Sequence, residues 1–467
     1  MSDFSSLQTA LSALMTHRRA IEVTANNVAN ANTTGYTRRR VDLEPTGGAV
    51  PAIFSKSTSD GNGVQINAVL RISDAFLDTK VRTETASAES DSTVAAALQG
   101  VEQIFPEPGT DGMAAQLGEL WASWNDLVAN PGSTAARAAV LQQASVVVDR
   151  FHEAATQLGQ NRQQLVDQVG AVASKVNEYA DRIAQLNDAI QSANVGGSST
   201  ADLEDQRGVL LDELSKYAAI DVRSSQSGKV DVTLDGTPLV SGVSAQHLAV
   251  TQVADPALTP LGLQRVQMVW EVDGRPTSIS GGQLAGNLTA ANQSLPDAMN
   301  GLDAVAANLV SAVNTLHLAG KDLGGTTGRA FFDPTGTRAS TLALSTDVAG
   351  LPANLAAASA TGGALDTTVG QQIAALGLAP NGPDATYRSF VAQLGTQVAA
   401  ANRGSDVQAS IRDRTTSDRA AVTGVSIDEE MVGLVASQHA YSAAARVMTS
   451  VDEMLDTLIN HTGIVGR

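Results

Sequence analysis

A chain of 467 residues is longer than one hydrophobic core ordinarily organises, so roughly two to four domains are expected. Its 30 basic and 48 acidic residues leave a net charge of −18, a field that repels phosphate backbones and anionic lipid, so neither nucleic acid nor a membrane is expected as a partner. Cysteine is absent, which removes disulfides, thiolate chemistry and cysteine zinc sites, and with aromatics at only 3% the core must be built from Ala, Leu, Val and Ile.

The start, Met1-Ser2-Asp3-Phe4, has no basic cluster followed by an apolar run, so export without a cleaved signal peptide is the only export route expected. Phe4, Leu7, Leu11, Leu14, Ile21 and Val28 then follow three- and four-residue steps, with Asp3 placed to cap and Asn30, Asn32 and Gly35 to stop. This predicts a helix of about 27 residues, about 40 Å long. Periodicity alone fits an ordinary core helix as well as an assembly surface. The end of that helix carries four asparagines, at Asn26, Asn27, Asn30 and Asn32. Asparagine competes with the backbone for hydrogen bonds, so the segment reads either as a frayed terminus or as a helix whose amides find partners only when subunits pack together. Arg38-Arg39-Arg40 follows, the densest basic run in the chain; it fits a solvated turn or a contact with an acidic partner surface.

From Leu141 to Ile190 a heptad register runs through Val148, Phe151, Leu158, Leu165, Val169, Val172, Val176 and Ile183, which predicts a long coiled-coil-like helix ending at Gly196-Gly197-Ser198-Ser199. Asp202 is placed to cap a shorter helix bearing Leu203, Leu210, Leu211 and Leu214. Between residues 220 and 280 short alternations flank Asp235-Gly236 and Asp273-Gly274, which predict β-hairpins. Helical spacing returns over Gly286–Leu316, and Gly324–Pro383, rich in Gly, Ala, Thr and Pro, reads as a small separate outer domain. A helix over Ala385–Val422 leads into Ser426 and Glu429, a capping box for a last helix with Met431, Leu434, Tyr441, Ala445, Met448, Leu455 and Ile459 on one seam and Gly463 as its stop. The fold class expected is mainly α with β insertions, elongated and multidomain, a long coiled-coil-like bundle formed by both chain halves. Its divisions are paired terminal helical segments at 1–35 and 425–467, a helical rod domain at 36–325, an outer domain at 326–385 and a helical return at 386–424.

No catalytic chemistry emerges. The six histidines never stand four apart, His152-Glu153 has Thr156 where a zinc protease needs its second histidine, and Gly320-Lys321 is followed by Asp322 where a phosphate loop needs Ser or Thr. No cofactor fingerprint and no metal set is present, so the chain reads as a non-enzyme.

The run Ala25-Asn26-Asn27-Val28-Ala29-Asn30-Ala31-Asn32-Thr33-Thr34-Gly35-Tyr36 resembles the N-terminal signature of the bacterial flagellar axial family, which includes rod, hook and hook-associated proteins. Ser426–Met431 with Gln438, Tyr441, Arg446 and Asp452–Leu455 resembles the family's C-terminal signature. Three internal or extreme segments, Asp202–Ser215, Gly236–Gly242 and Thr462–Arg467, resemble the hook-associated members at the junction of hook and filament. The resemblance implies secretion through the flagellar type III apparatus, an extracellular place in the flagellum, and self-assembly into a ring. The partners it implies are the hook protein, the next hook-associated junction protein and an export chaperone at the C-terminal segment. It also implies an assembly interface of Leu7, Leu11, Leu14, Ile21, Asn26, Asn27, Val28, Asn30, Met431, Leu434, Tyr441, Met448, Leu455 and Ile459. The alternatives are a hook or rod subunit, a cytoplasmic coiled-coil adaptor, or a secreted enzyme with its site in Gly324–Pro383.

Overall fold

A computed structural model describes residues 2–46, 63–110, 112–363 and 365–461. Helix α1 spans Ser2–Ala29, close to the expected helix, and a loop leads to an antiparallel hairpin of β1 (Arg39–Pro45) and β2 (Val64–Arg71). Helix α2 (Ala75–Glu102) begins at Asp74, whose carboxylate accepts hydrogen bonds from the N–H groups of Phe76 and Leu77. Helix α3 (Met113–Ala129) turns into α4 (Thr134–Val195), which has 62 residues and a length of about 93 Å at the helical rise. It extends beyond the expected 141–190 because Ser133 supplies an N-cap, its hydroxyl accepting from the Ala136 N–H at 3.2 Å, and because Arg137 and Val140 are already buried. The buried stripe of α4 continues through two polar residues, Arg162 and Asn187, which breaks the apolar pattern in sequence without breaking the seam in space.

Helix α5 (Ala201–Tyr217) starts two residues earlier than expected, with Thr200 at its N-cap rather than Asp202, which lies inside the first turn. Small antiparallel sheets follow, one of β3 (Asp221–Ser224), β4 (Val230–Leu234), β5 (Thr237–Ser241) and β6 (Ser244–Ala245), and one of β7 (Leu248–Val253), β8 (Arg265–Trp270) and β9 (Pro276–Thr277). Asp235 and Gly236 both hold positive φ, at 45° and 79°, the geometry of a tight type I′ turn between β4 and β5. Asp273-Gly274 instead lies within the wider connection Glu271–Arg275, where the Gly274 N–H donates to Trp270 O and Arg275 donates to the Asp273 carboxylate.

Helix asparagines knit these sheets to the body. Asn187 Nδ2 donates to Val230 O and Gly242 O while its Oδ1 accepts from the Val230 N–H and Arg207. Asn177 makes the same paired contact with Leu248, and Asn292 with Val266. Each amide stands in for a neighbouring strand and satisfies backbone groups that burial would otherwise leave costly.

Asn292 lies in a π-helical turn, Ala290–Ser294, between α6 (Gly282–Thr289) and α7 (Leu295–Ala319). The cause is Pro296, which has no N–H to donate one turn back. The Leu295 N–H reaches Ala290 O, so Ala291 O is left without a helical donor, and buried Arg162 Nε fills the gap at 2.9 Å. Most of α7's apolar side chains, Leu302, Val305, Leu309 and Val313 among them, are buried in the protein core.

Residues 326–385 were expected to form a separate unit, yet Phe331, Phe332, Leu342, Val348, Leu355 and Ile373 join the same apolar cluster as α3, α4 and α7. His317 on α7 ties two of its loops: Nδ1–H donates to Arg329 O at 2.7 Å and Nε2 accepts from the Ala356 N–H at 2.9 Å. After α8 (Thr368–Ala374), the 41-residue α9 (Pro383–Thr423) runs back along α2, and α10 (Ile427–Asp456) closes the described chain with a π-turn at Thr457–His461. Ser426 caps α10 as expected, accepting from the Glu429 N–H at 3.4 Å, but the Glu429 carboxylate pairs with Arg38 instead of returning to the cap. The expected stop at Gly463 and the Thr462–Arg467 run lie outside the described residues.

Candidate assembly surface and its joint to the body

Helices α1 and α10 pack on each other, and the hairpin β1–β2 covers a second side of α1. Because Asn27, near the end of α1, touches Glu430, at the start of α10, the two helices run antiparallel away from the body. On α10 the inward stripe is Glu430, Leu434, Ser437, Ala444, Met448, Val451 and Leu455, in alternating steps of three, four and seven. Away from that stripe α10 carries Val432, Val435, Val447 and Met454, all exposed; Val432 is 72% exposed and, on α1, Met15 is 62% exposed.

The residues expected at an assembly interface therefore divide into three groups. Leu7, Leu14, Ile21, Val28, Asn30, Leu434, Met448 and Leu455 are half-buried. Leu11, Asn26, Met431, Tyr441 and Ile459 are exposed, and Asn27 is buried. Ala10, Thr16, Val23 and Val451, which the periodic reading passed over, are the buried side chains that hold the pair and the hairpin together. Among them Thr16 Oγ1 donates to Val64 O on β2.

Asn27 is the centre of the joint. Its Nδ2 donates to Arg39 O and to Glu430 Oε2, each at 2.9 Å, and its Oδ1 accepts from the Arg39 N–H at 3.1 Å and the Tyr36 hydroxyl at 2.8 Å. All four hydrogen-bonding positions of the amide are thus filled within one chain. Burial raises the Tyr36 pKa, with Asp205, Asp202 and Glu430 adding to the rise and Arg39 opposing it, so the phenol stays a neutral donor. Asn30 Nδ2 donates to Asn26 O, and the Thr33 hydroxyl donates to Asn30 Oδ1, closing the helix end. The expectation that these amides find partners only between subunits is therefore corrected: Asn27, Asn30 and Asn26 are engaged in the single chain.

The basic run finds its acidic surface in the same chain. Arg38 Nε donates to Glu430 and its Nη1 to Glu429, both at 2.7 Å, while its backbone N–H donates to Thr423 O and its carbonyl accepts from the Ile72 N–H. Arg39 lies over the Tyr36 ring and donates to Asp202 and Asp205. Its burial opposes the charge, but the hydrogen bonds it donates to the two aspartates outweigh that and hold the guanidinium above its ordinary value. Gly35, at φ +79°, is the close approach that lets the loop lie on α5, since a Cβ there would collide with Val209. An open groove of about 1000 Å³ lies beside this loop, lined by Asn30, Thr33, Tyr36, Arg182, Asp202 and Gln206 among others.

Among the described residues no group of three or more His, Asp or Glu side chains is placed to hold a metal ion. His152 bonds to Leu342 O, and the Lys321 backbone bridges Thr327 and Ala358, so both suspect motifs serve packing.

The family profile for the flagellar hook-associated protein FlgK helical domain matches residues 98–332, which lie within the body. A profile for the flagella basal body rod protein matches residues 7–37 and one for the flagellar basal body rod FlgEFG protein C-terminal region matches 421–461, so the two rod-protein profiles fall on α1 with its loop and on α10. Flagellar hook-associated protein 1 of Bacillus subtilis is 30% identical over 507 residues, covering 100% of both chains. The Escherichia coli protein of that name is 30% identical over 70% of this chain and 59% of its own. The solved structure of the flagellar hook junction protein FlgK from Burkholderia pseudomallei is similar with a TM-score of 0.50 and 25% identity, covering 55% of this chain and 46% of that one. The chain belongs to the flagellar hook-associated protein 1 family.

Proposed function

We propose that this protein is a structural subunit of the external bacterial flagellum that joins hook to filament, assembling through its paired terminal helices. The observation that carries this reading is the set of exposed apolar side chains on α10 outside its stripe toward α1, Val432, Val435, Val447 and Met454, on the segment that resembles rod-protein termini. Each large apolar side chain buried by a neighbouring copy would contribute roughly 1.5–3 kcal/mol. Copies would form a ring, with hook protein on one side and the next hook-associated junction protein on the other. The ends of α1 and α10 remote from Asn27 would order fully only in that ring, and before assembly the C-terminal segment would be held by an export chaperone, after delivery through the flagellar type III route without a cleaved signal peptide. The division into terminal segments, a helical body, an outer segment at 326–385 and a return helix belongs to the same reading. A hook or rod subunit is the weaker reading, because the helical-domain match at 98–332 is to a hook-associated family.

Val432→Asp tests the proposal. Cells carrying it are expected to build hooks without filaments, while the purified protein keeps the body's melting transition. Normal filaments and motility would contradict it.

A further inference from the structure

The motif Asp202-Leu203-Glu204-Asp205-Gln206-Arg207 forms the first turns of α5, and the geometry points to a task for it. We infer that Asp205 is the positioning residue that fixes the direction of the terminal unit, α1 with the β1–β2 hairpin, against the body. The hairpin register sets Arg39 directly opposite Arg71. Two like charges opposed on one face of a strand pair repel, so this pairing is unfavourable in an isolated hairpin. Asp205 resolves the conflict: its Oδ1 accepts from Arg71 Nε at 2.6 Å and its Oδ2 from Arg39 Nη2 at 3.2 Å. It is 8% exposed, which makes the shared carboxylate a socket and not a surface pair.

The rest of α5 is shaped around that contact. Asp202, three residues earlier and so on the same face, takes the other bond from Arg39. Gly208, three residues later, lies alongside the Arg71 guanidinium. Arg207, on the far side of the helix, donates to Asn187 Oδ1 and Gly228 O, both at 2.8 Å, anchoring α5 to the body. One face of the motif thus holds the body and the other holds the terminal unit. Without the carboxylate the two arginines repel each other, and the hairpin, with α1 attached, loses its fixed angle while both parts stay folded.

The test uses the full chain, which has no native cysteine to remove. Spin labels at Gln65→Cys on the hairpin and Ser174→Cys on α4, both exposed, report the angle as a distance distribution. In the otherwise unaltered chain one narrow distribution is expected. Asp205→Asn is expected to broaden it and shift its mean, with the body's melting midpoint unchanged. Arg71→Gln removes one of the two opposed charges, so adding it to Asp205→Asn is expected to narrow the distribution again. A narrow distribution in Asp205→Asn overturns the inference, as does a double variant as broad as Asp205→Asn alone, and so does a fall in the body's midpoint that accompanies the broadening. The measurement is made on the soluble monomer, so its failure is distinguishable from a failure of the assembly reading.

Discussion

The body buries Trp124, Phe151, Leu158 and Ile183 completely, whereas on α1 and α10 the only buried apolar side chains among the described residues are Ala10, Val23 and Val451. The polar groups differ in the same sense. In the body, buried Arg137, Arg162 and Arg207 give their donors to backbone carbonyls or an amide and lock finished contacts, at the expense of lowered basicity through burial. In the terminal unit, buried Asn27 and Glu430 sit at the body end and buried Thr16 bonds to Val64 O farther along α1, while beyond them the described residues include exposed Leu11, Met15, Val447 and Met454. The body is a completed structure, whereas the proposed assembly would give the terminal pair its second layer.

That contrast can be broken by substitution. Phe151→Ala in the body is expected to cost about 3–5 kcal/mol by leaving a cavity, measured by denaturant unfolding. Leu11→Ala on the terminal pair should fall within about 0.5 kcal/mol in the isolated chain. Similar losses at the two sites would remove the distinction.

Acid should act on the body through His317. Burial, which disfavours the charged imidazolium, lowers its pKa from 6.5 to about 4, and a protonated Nε2 could no longer accept from the Ala356 N–H. The folded-state pKa lies below the unfolded one, so the unfolded chain binds the extra proton between those values. Stability from this residue is fully present above about pH 6.5 and is lost as pH falls toward 4, by up to about 3 kcal/mol. Unfolding curves across that window should show a smaller pH dependence in His317→Gln; an equal dependence would mean His317 is not the group.

Glu430→Gln tests the lock itself. Removing the charge that Arg38 and Asn27 share is expected to weaken hydrogen-exchange protection at the body end of α1 and α10 by about 1–3 kcal/mol, leaving α4 unaffected.

Much of this architecture was legible in the amino-acid order where a single segment carried its own signal. Helices α1, α4 and α10, the seam of α4, the cap at Ser426 and the Asp235-Gly236 turn all depend on residues close in sequence. Helix α2 escaped notice because its contact with α9 is largely polar, with Gln99 donating to Asn402 and Gln408 to Glu84, so hydrophobic periodicity says little about it. Helix α3 left a signal in Leu117, Leu120, Trp121, Trp124 and Leu127 that a closer reading of spacing would find. The joint was visible only as oddities, the asparagine run and the arginine run. Their partners Asp202, Asp205, Glu429 and Glu430 lie more than 160 residues away, a pairing that no local pattern encodes.

The central claim, that the terminal pair is completed by neighbouring copies, is tested most directly by hydrogen exchange on the soluble chain and on purified hook–filament junctions. The account predicts that amides of residues 8–20 and 440–456 exchange quickly in the soluble chain and become protected in the junction, while those of α4 are protected in both. Protection in the soluble chain equal to that of α4 would contradict it.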